Sequence, residues 1–409
     1  MSTGVTYPRG FRAAGISAGL KPSGSPDLGL LVGDAGTTVA GLFTTNAAVA
    51  APVVLSRTHL AAGAGRGVLV NSGQANAATG TQGDDDAIAA VRATAQAIGL
   101  EAAELLACST GVIGEPVHME PLLDGVPRLV SSLTPDGGGT FARAIMTTDT
   151  MPKEAAAGAG GFRVGGAAKG VGMLAPSLAT MLAFVTTDVR VATPDLALVA
   201  REQLAPAFEA VTVDGCTSTN DTVLLFASGA AGGSPLAPND AGWAAFADAV
   251  AEVGEALAGQ LIQDGEGVSH VLIVDVTGAH CVDDARRLAR SVAESPLVKT
   301  AAFGEDPNPG RIVQALGACG VAYDPGTVDV WIGDTSVVER GVIPPAFFSA
   351  DELRTAAADA MAGPEVSLRI SVGPVPAPRV CSAGICRTAT SGSTGSTRRD
   401  DGRPAATDP

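Results

Sequence analysis

The stretch KGVGMLAPSLATMLAFVTTD, residues 169–188, decides how this chain is interpreted. No charged residue lies between Lys169 and Asp188, so the run approaches the length of a membrane-spanning helix. Two glycines, a proline and several hydroxyl groups interrupt it, which is untypical of such a helix. We therefore predict a buried segment of a folded protein, in which Thr180 directly follows Ala179.

Thr180 has two interpretations on its chemistry alone. A buried threonine hydroxyl usually donates to a backbone carbonyl and has no further role, and this is the commoner case. In the other interpretation the hydroxyl attacks the carbonyl carbon of Ala179, the peptide becomes an ester, and hydrolysis leaves Thr180 as a new N-terminus. Its α-amine would then be a base with an unperturbed pKa of roughly 7.7 to 8.0, which suits catalysis at neutral pH.

Strand and helix patterns alternate along the chain around this stretch. Short apolar runs rich in β-branched residues predict strands, and longer periodic runs with acidic residues near their first turn predict helices. Their alternation favours α/β or α+β layers. The predicted strands are 67–70, 271–276 and 328–332, and the predicted helices are 84–99, 243–263 and 283–295.

Two segments lack these patterns. Residues 154–168, EAAAGAGGFRVGGAA, are rich in Gly and Ala. This composition predicts a flexible segment that leads into a functional site. Residues 371–409 are rich in Ser, Thr, Gly and Arg without apolar periodicity, and they predict a disordered tail.

The charge balance excludes several classes of partner. The 409 residues include 42 acidic and 26 basic side chains, and the net charge of −16 repels both phosphate backbones and anionic lipid head groups. We therefore expect no nucleic-acid and no membrane partner. The 6 cysteines are scattered and no apolar signal-peptide core is visible, so we expect a cytoplasmic protein. The 4 histidines share no ligand spacing with a cysteine or carboxylate cluster, so no metal site is expected.

The segment CSTGVIG, residues 108–114, also has two interpretations. Its small residues would let successive main-chain N–H groups converge on one oxygen atom, as in an oxyanion hole. A tight connecting turn is the alternative, and the local sequence favours the turn.

Residues 169–188 resemble the cleavage-site signature of the ornithine acetyltransferase family, also called bifunctional glutamate N-acetyltransferase. Further blocks resemble those of the family in the same order, and the similarity covers about residues 7–370. These blocks are RGFRAAGISAGLK (9–21), GLFTTNAAVAAPV (41–53), VNSGQANAATG (70–80), CSTGVIG (108–114), AIMTTDTMPK (144–153), DGCTSTNDTVLL (214–225), DGEGVSH (264–270) and SPLVKTAAFGEDPNPGR (295–311).

The resemblance implies a layered α/β fold that cleaves itself between Ala179 and Thr180. The products would be an alpha chain of residues 1–179 and a beta chain of residues 180–370, which stay intertwined and pair as a heterotetramer. Thr180 would then be the nucleophile that carries the acetyl group.

The resemblance also implies the other site residues. Thr110 and Gly111 match the family's oxyanion-hole pair, and the substrate-contacting positions are Thr147, Lys169, Thr180 and Glu266. Lys169 suits a substrate α-carboxylate, and Glu266 suits a substrate amine.

The implied reaction moves acetyl from N-acetylornithine to glutamate in arginine biosynthesis, and some members of the family also use acetyl-CoA. A covalent acyl intermediate implies ping-pong kinetics without a metal or nucleotide cofactor. Three alternatives stay open: an acyl-amino-acid amidohydrolase, an inactive or weakened amino-acid-binding homologue, and a relative that acts on a similar acetyl-amino acid in specialised metabolism.

The chain departs from the family pattern at two places. Pro309 in DPNPGR stands where the family usually has Trp, so an aromatic contact is expected to be missing there. The family also ends in a segment resembling Asp-Leu-Ser-Tyr-x-Tyr-Val-x-Ile-Asn-x-Glu-Tyr-Thr-Thr, whose Asn and Thr complete the substrate site. Nothing of that form follows Ile370.

A shifted reading frame accounts for the missing ending. Residues 381–400, CSAGICRTATSGSTGSTRRD, can be encoded by ordinary GC-rich codons. The same codons encode a different peptide in another reading frame. Read one base earlier, these codons give Phe-Gly-Trp-Asp-Leu-Ser-Tyr-Gly-Tyr-Val-Arg-Ile-Asn-Gly-Glu-Tyr-Thr-Thr and then a stop. We therefore predict that the frame is lost near Ile370 and that residues 371–409 are aberrant.

Overall fold

The computed structural model describes residues 4–158, 161–173, 181–349, 351–373 and 384–391, and in the last range it describes the side chains of Thr388 and Thr390 alone. These residues divide into two compact units. The first unit takes its described residues from 1–209 and 216–264, and the second takes them from 210–215 and 265–396.

Strands and helices alternate through both units. The strands are β1 (Phe11–Ile16), β2 (Leu28–Gly33), β3 (Thr38–Phe43), β4 (Gly67–Gln74), β5 (Leu105–Val112), β6 (Lys153–Ala157), β7 (Val164–Lys169), β8 (Leu182–Thr187), β9 (Val211–Thr212), β10 (Thr222–Ala227), β11 (Val268–Thr277), β12 (Asp329–Ile332), β13 (Thr335–Val338), β14 (Glu365–Ser371) and β15 (Gly384–Ser391). The helices are α1 (Ala51–Ala61), α2 (Gly80–Ile98), α3 (Met119–Ser131), α4 (Gly138–Ala144), α5 (Thr193–Val199), α6 (Ala205–Glu209), α7 (Trp243–Gln263), α8 (Val282–Glu294), α9 (Pro296–Phe303), α10 (Pro309–Ala318), α11 (Ala346–Ser349) and α12 (Asp351–Asp359).

The first unit contains two sheets packed face to face. One has the order β1-β2-β4-β5 and the other has the order β3-β10-β8-β7-β6. In each sheet one neighbouring pair is parallel, β4 with β5 and β8 with β10, and the other pairs are antiparallel. Apolar side chains from both sheets, among them Leu31, Leu106, Phe184 and Phe226, join in one buried core.

Helices cover the outer faces of these sheets. Helices α2 and α3 bury Val91 and Leu122 against Leu30 and Leu69 of the first sheet. Helix α7 packs on β6 and β7 of the second sheet. The first unit therefore has a helix, sheet, sheet, helix order of layers, which confirms the predicted layered α/β fold.

The second unit is one sheet with helices. Its strand order is β13-β12-β14-β11-β15-β9, in which β14 runs parallel to β11 and β9 runs parallel to β15. The core joins Leu272 and Val274 of β11 to Leu288 and Val292 of α8, with Leu368 from β14. Its helices and its two parallel strand pairs also fit the predicted α/β class.

The six elements predicted from periodicity are all present. Strands β4, β11 and β12 and helices α2, α7 and α8 contain the predicted ranges to within a few residues. Pro309 is the first residue of α10 and is buried, a position that suits proline because its missing N–H has no partner in the helix.

The prediction of a flexible segment at 154–168 is wrong. Strands β6 and β7 run antiparallel across most of it, with Lys153 opposite Ala168. Its glycines serve close packing instead, since a Cβ at Gly166 would lie 2.9 Å from Leu257 and 3.0 Å from Val253 of α7. Small side chains let the helix approach the strand backbone.

The prediction of a disordered tail is wrong for residues 384–391. They form β15, which pairs antiparallel with β11 and parallel with β9. Thr388 and Thr390 are buried, and β-branched residues favour a strand even where no apolar periodicity is visible. The other residues of 374–409 lie outside the described part of the chain.

Among the described helices, none combines the length and the apolar character that crossing a membrane requires.

Candidate active site

The buried ammonium group of Lys169 joins three elements of the first unit. Lys169 ends β7, and its Nζ donates to Thr110 Oγ1 on β5 at 3.0 Å and to Thr147 Oγ1, in the loop after α4, at 2.7 Å. Lys169 and Thr110 are each only 2% exposed. Three residues that the sequence analysis singled out separately therefore meet at one point.

Asp149 provides the negative charge beside Lys169. Its carboxylate lies 4.0 Å from Lys169 Nζ and accepts hydrogen bonds from the amides of Thr147 and Gly170 at 2.9 and 2.8 Å. Burial by itself would raise the pKa of Asp149. The charges of Lys169 and Lys153 and the hydrogen bonds outweigh burial and lower the pKa to about 2, so the group stays ionised at neutral pH.

A second buried lysine extends this arrangement. Lys153 Nζ lies 2.7 Å from Asp149 and 2.5 Å from Asp264, and the hydroxyl of Thr150 also donates to Asp264. The two lysines and two aspartates balance in charge. Because a buried charge that loses its partner costs several kcal/mol, this network fixes the position of Lys169.

Gly111 lies at the open end of β5 in a conformation that requires glycine. Its φ is +134°, and a Cβ there would lie 2.1 Å from the carbonyl oxygen of Gly73, its partner on β4. Residues 105–112 are strand, so the interpretation of CSTGVIG as a tight turn is wrong. These small residues are part of the sheet because β5 pairs in parallel with β4 along its whole length.

Asn220 and Asp221, just before β10, each hydrogen-bond to a residue that neighbours a predicted site residue in the chain. Asn220 Nδ2 donates to the carbonyl oxygens of Ala75 and Ser109 at 2.6 and 2.8 Å, next to Thr110. Asp221 Oδ1 accepts from the backbone N–H of Met181 at 3.1 Å. One dipeptide therefore holds both the residue before Thr110 and the residue after Thr180.

The thiol of Cys108 is not the nucleophile of this site. Burial raises its pKa to about 12, although a hydrogen bond with Thr222 opposes the shift. The thiol is therefore protonated at neutral pH and unreactive. Within the described ranges, no group of three or more His, Cys, Asp and Glu side chains could hold a metal ion.

The structure does not place every predicted site residue. Ala179 and Thr180, the predicted cleavage site and nucleophile, lie outside the described residues. Glu266 is an exposed residue of the second unit, in the turn between α7 and β11.

A family model for the ArgJ family matches residues 12–379. The chain belongs to the ArgJ family. The resemblance inferred from the sequence blocks is thereby confirmed.

Curated ArgJ relatives match over most of their length. The arginine biosynthesis bifunctional protein ArgJ of Symbiobacterium thermophilum is 45% identical over 360 residues, which are 87% of this chain and 89% of the relative. The protein of the same name from Mycolicibacterium paratuberculosis is 44% identical over 378 residues, 90% of each chain. A solved chain of ornithine acetyltransferase from Mycobacterium tuberculosis, crystallised with ornithine, is 42% identical and covers 43% of this chain and 95% of its own, with a TM-score of 0.40.

Sequence reasoning missed five polar residues of this ArgJ-family site. Asp149, Lys153, Asp264, Asn220 and Asp221 all fall inside blocks that carried the resemblance, but they have no role on local sequence. Their signal was weak because each is one charged or amide residue in a small-residue motif. Only the tertiary contacts show that they surround Lys169 and Met181.

The folded protein should lose stability as pH rises through the range in which the unfolded aspartate is ionised while Asp221 of the folded state is still protonated. Burial raises the pKa of Asp221 to about 9, whereas an unfolded aspartate has a pKa of about 3.9. Between these values the folded state holds one more proton than the unfolded state. The stabilisation that this bound proton contributes is complete below about pH 3.9. It is lost as pH rises toward 9, by about 1.4 kcal/mol per pH unit between these two values.

Urea unfolding between pH 5 and 8 tests this slope. The measurement uses a Thr180→Ala background, in which one uncleaved chain unfolds. Asp221→Asn cannot ionise, so its stability relative to the parent should increase steadily with pH. Parallel pH curves for the two proteins would contradict the raised pKa.

Proposed function

We propose that this chain is a self-processing acetyltransferase of arginine biosynthesis, which moves acetyl from N-acetylornithine to glutamate through an acetyl ester on Thr180. Membership of the ArgJ family supports the class of reaction. The observation that carries the proposal is the buried contact of Lys169 with Thr110 and Thr147. It brings two hydroxyls and one positive charge together where the family's site residues are expected.

Self-cleavage is the first step of the proposed mechanism. The Thr180 hydroxyl oxygen bonds to the carbonyl carbon of Ala179, the bond from that carbon to the Thr180 nitrogen breaks, and the nitrogen takes the proton that the hydroxyl loses. Water then hydrolyses the ester and leaves residues 1–179 and 180–409 as separate chains. The free α-amine of Thr180 becomes the general base.

Acetyl transfer uses the same oxygen twice. Thr180 attacks the acetyl carbonyl of N-acetylornithine, releases ornithine and keeps the acetyl group as an ester. The amine of glutamate then attacks that ester and regenerates Thr180. Each attack creates an oxyanion, which in this proposal the Thr110 hydroxyl and the Gly111 amide stabilise.

Lys169 supports this role of Thr110. Because Thr110 Oγ1 accepts from an ammonium group, its own hydrogen points elsewhere and becomes a stronger donor. In this proposal the ammonium group of Lys169 also attracts the α-carboxylate of an amino-acid substrate. In this proposal Thr147 contacts the same substrate. The resemblance assigns Glu266 to a substrate amine.

The proposal includes a cytoplasmic location and a heterotetramer of the two fragments. Acetyl-CoA is a second acetyl donor in it.

Product analysis tests the function. Purified protein is incubated with N-acetylornithine, first alone and then with glutamate. We expect N-acetylglutamate and ornithine in equal amounts when glutamate is present. Acetate as the main product in both samples would identify an amidohydrolase instead, and bound amino acid without turnover would identify a binding protein.

Removal of the Thr110 hydroxyl should slow the reaction strongly. Loss of one oxyanion donor costs about 10² to 10³ in kcat, so we expect this decrease for Thr110→Ala with a much smaller change in KM. Thr58→Ala is the matched control, because the exposed Thr58 hydroxyl donates within its own helix, α1, to the carbonyl oxygen of Val54. Equal kcat for the Thr110 variant and the control would remove Thr110 from the mechanism.

A further inference from the structure

The buried ammonium group of Lys21 contacts the residue before Thr147, and the mechanism above does not use it. Lys21 is 6% exposed and lies in the loop between β1 and β2. Its Nζ donates to the carbonyl oxygen of Met146 at 2.6 Å and to that of Pro26 at 2.9 Å. Burial of a charge is costly unless hydrogen bonds compensate for it, so these contacts hold the ammonium group and the two carbonyls together.

The backbone of the loop that carries Lys21 is held from two directions. The buried carboxylate of Asp27 accepts hydrogen bonds from the four successive backbone N–H groups of residues 18–21, at distances from 2.6 to 3.1 Å. Gln74, at the end of β4, donates from Nε2 to the carbonyl oxygen of Leu20 at 3.0 Å. The side chain of Lys21 therefore starts from a fixed point, which a positioning role requires.

The alkyl stem of Lys21 lies against the strand that pairs with the Thr110 strand. A Cβ at Gly73 of β4 would lie 3.5 Å from Lys21 Cγ, which is ordinary van der Waals contact. Gly73 is the partner of Gly111 on β5. The stem thus packs on β4 while the ammonium group reaches Met146. A substitution that keeps an unbranched stem can remove the charge without leaving a gap at Gly73.

The peptide between Met146 and Thr147 is held at both of its polar atoms. Lys21 donates to the Met146 carbonyl oxygen, and the Thr147 N–H donates to the Asp149 carboxylate at 2.9 Å. The carbonyl and the N–H lie in one planar peptide, so the two contacts together prevent that plane from rotating. The Thr147 hydroxyl then meets Lys169 Nζ at 2.7 Å.

We propose that Lys21 is a positioning residue for substrate binding: it holds the peptide before Thr147 so that the Thr147 hydroxyl faces the amino-acid substrate. This inference rests on the proposed function, in which Thr147 contacts that substrate. Lys21 acts through Thr147 and touches no reacting atom. Its loss should therefore weaken substrate binding more than it lowers kcat.

The variant Lys21→Met keeps the alkyl stem and removes the N–H groups and the charge. We expect the Kd of ornithine and the KM of N-acetylornithine to rise about tenfold, because a lost hydrogen bond to a charged group typically costs at least that much. The change in kcat should stay below about threefold. Lys21→Arg keeps N–H donors and a positive charge, so it should bind ornithine within about threefold of the wild type. The matched control is Lys299→Met, which removes a lysine that donates to the carbonyl oxygen of Val213 in the second unit and should change neither constant.

A double-mutant cycle with Thr147→Ala tests whether Lys21 acts through Thr147. Once the Thr147 hydroxyl is absent, Lys21→Met should weaken ornithine binding by less than about twofold, because the two changes remove the same contact. An equal tenfold loss in both backgrounds would mean that Lys21 only stabilises the fold, and it would overturn the inference.

The constants come from calorimetric titration of the purified proteins with ornithine and from steady-state kinetics, with circular dichroism as a check on folding. Wild-type protein that binds ornithine without turnover refutes the proposed function, and the cycle of Kd values still decides the role of Lys21. Wild-type turnover together with unchanged Kd and KM in folded Lys21→Met refutes this inference only, whereas wild-type protein with neither binding nor turnover refutes both. If Lys21→Met does not fold, Lys21→Arg decides, because binding about tenfold weaker in that folded variant overturns the inference and binding within about threefold supports it.

Discussion

Purified wild-type protein should separate on a denaturing gel into two fragments, the second beginning at Thr180, and the Thr180→Ala variant should run as one full-length chain. Alanine has no hydroxyl to attack the Ala179 carbonyl, so neither the ester nor the new N-terminus can form. The same variant should also lose transfer to background, because the acetyl group has no oxygen to bond to. N-terminal sequencing of the smaller fragments and intact mass give the cleavage position.

Two further variants control this prediction. Thr180→Ser keeps a hydroxyl and should still cleave, whereas Thr193→Ala removes an exposed hydroxyl at the start of α5 and should behave as the wild type. A single full-length band from a soluble, folded wild-type preparation would refute self-cleavage. Cleavage in the Thr180→Ala variant would assign the reaction to another residue or to a contaminating protease.

The second large effect concerns the C-terminal segment. We propose that residues 371–409 result from a shifted reading frame, and that a chain carrying the other frame's sequence after Ile370 is the more active enzyme. The resemblance implies that an Asn and a Thr of that ending contact substrate. Hydrogen bonds to charged groups contribute about 1.5 to 3 kcal/mol each, so two of them should raise kcat/KM by about 10² to 10⁴.

A matched chain makes this comparison specific. It carries the same ending with that Asn and that Thr replaced by Ala, and it should lose most of the gain. Sequencing the gene across codons 365–375 shows whether the frame is broken there. Equal kcat/KM for the chain as printed and the restored chain, or an unbroken gene whose codons cannot encode the family ending in any register, would end the proposal.

Strand β15 lies in the segment that we assign to the shifted reading frame. Its backbone pairs with β11 over residues 384–391 in the sequence as printed. The same codons in the earlier frame encode Asp-Leu-Ser-Tyr-Gly-Tyr-Val, which is also strand-forming because of its aromatic and β-branched residues. We therefore expect the restored ending to pair with β11 through its backbone as well, and its Asn and Thr side chains to add the contacts to substrate.

The sequence by itself determined the α/β class, six secondary-structure elements and the family. Period-3.6 runs such as 243–263 and β-branched runs such as 271–276 carry their own local signal, since one buried face is enough to produce the pattern. The resemblance supplied Thr110, Thr147 and Lys169 as separate motif positions. It gave no reason for them to be adjacent.

Only the tertiary structure decided which polar groups surround those residues. Lys153 and Asp264 are 111 positions apart, and Met181 and Asp221 are 40 apart, yet each pair is in hydrogen-bond contact. Such pairs leave no periodicity in the sequence, because they form where strands of one sheet and the loops beside it meet. Gly166 was misread for the same reason. Whether a small residue gives flexibility or close packing depends on the helix that lies against it, and here α7 packs directly on the strand.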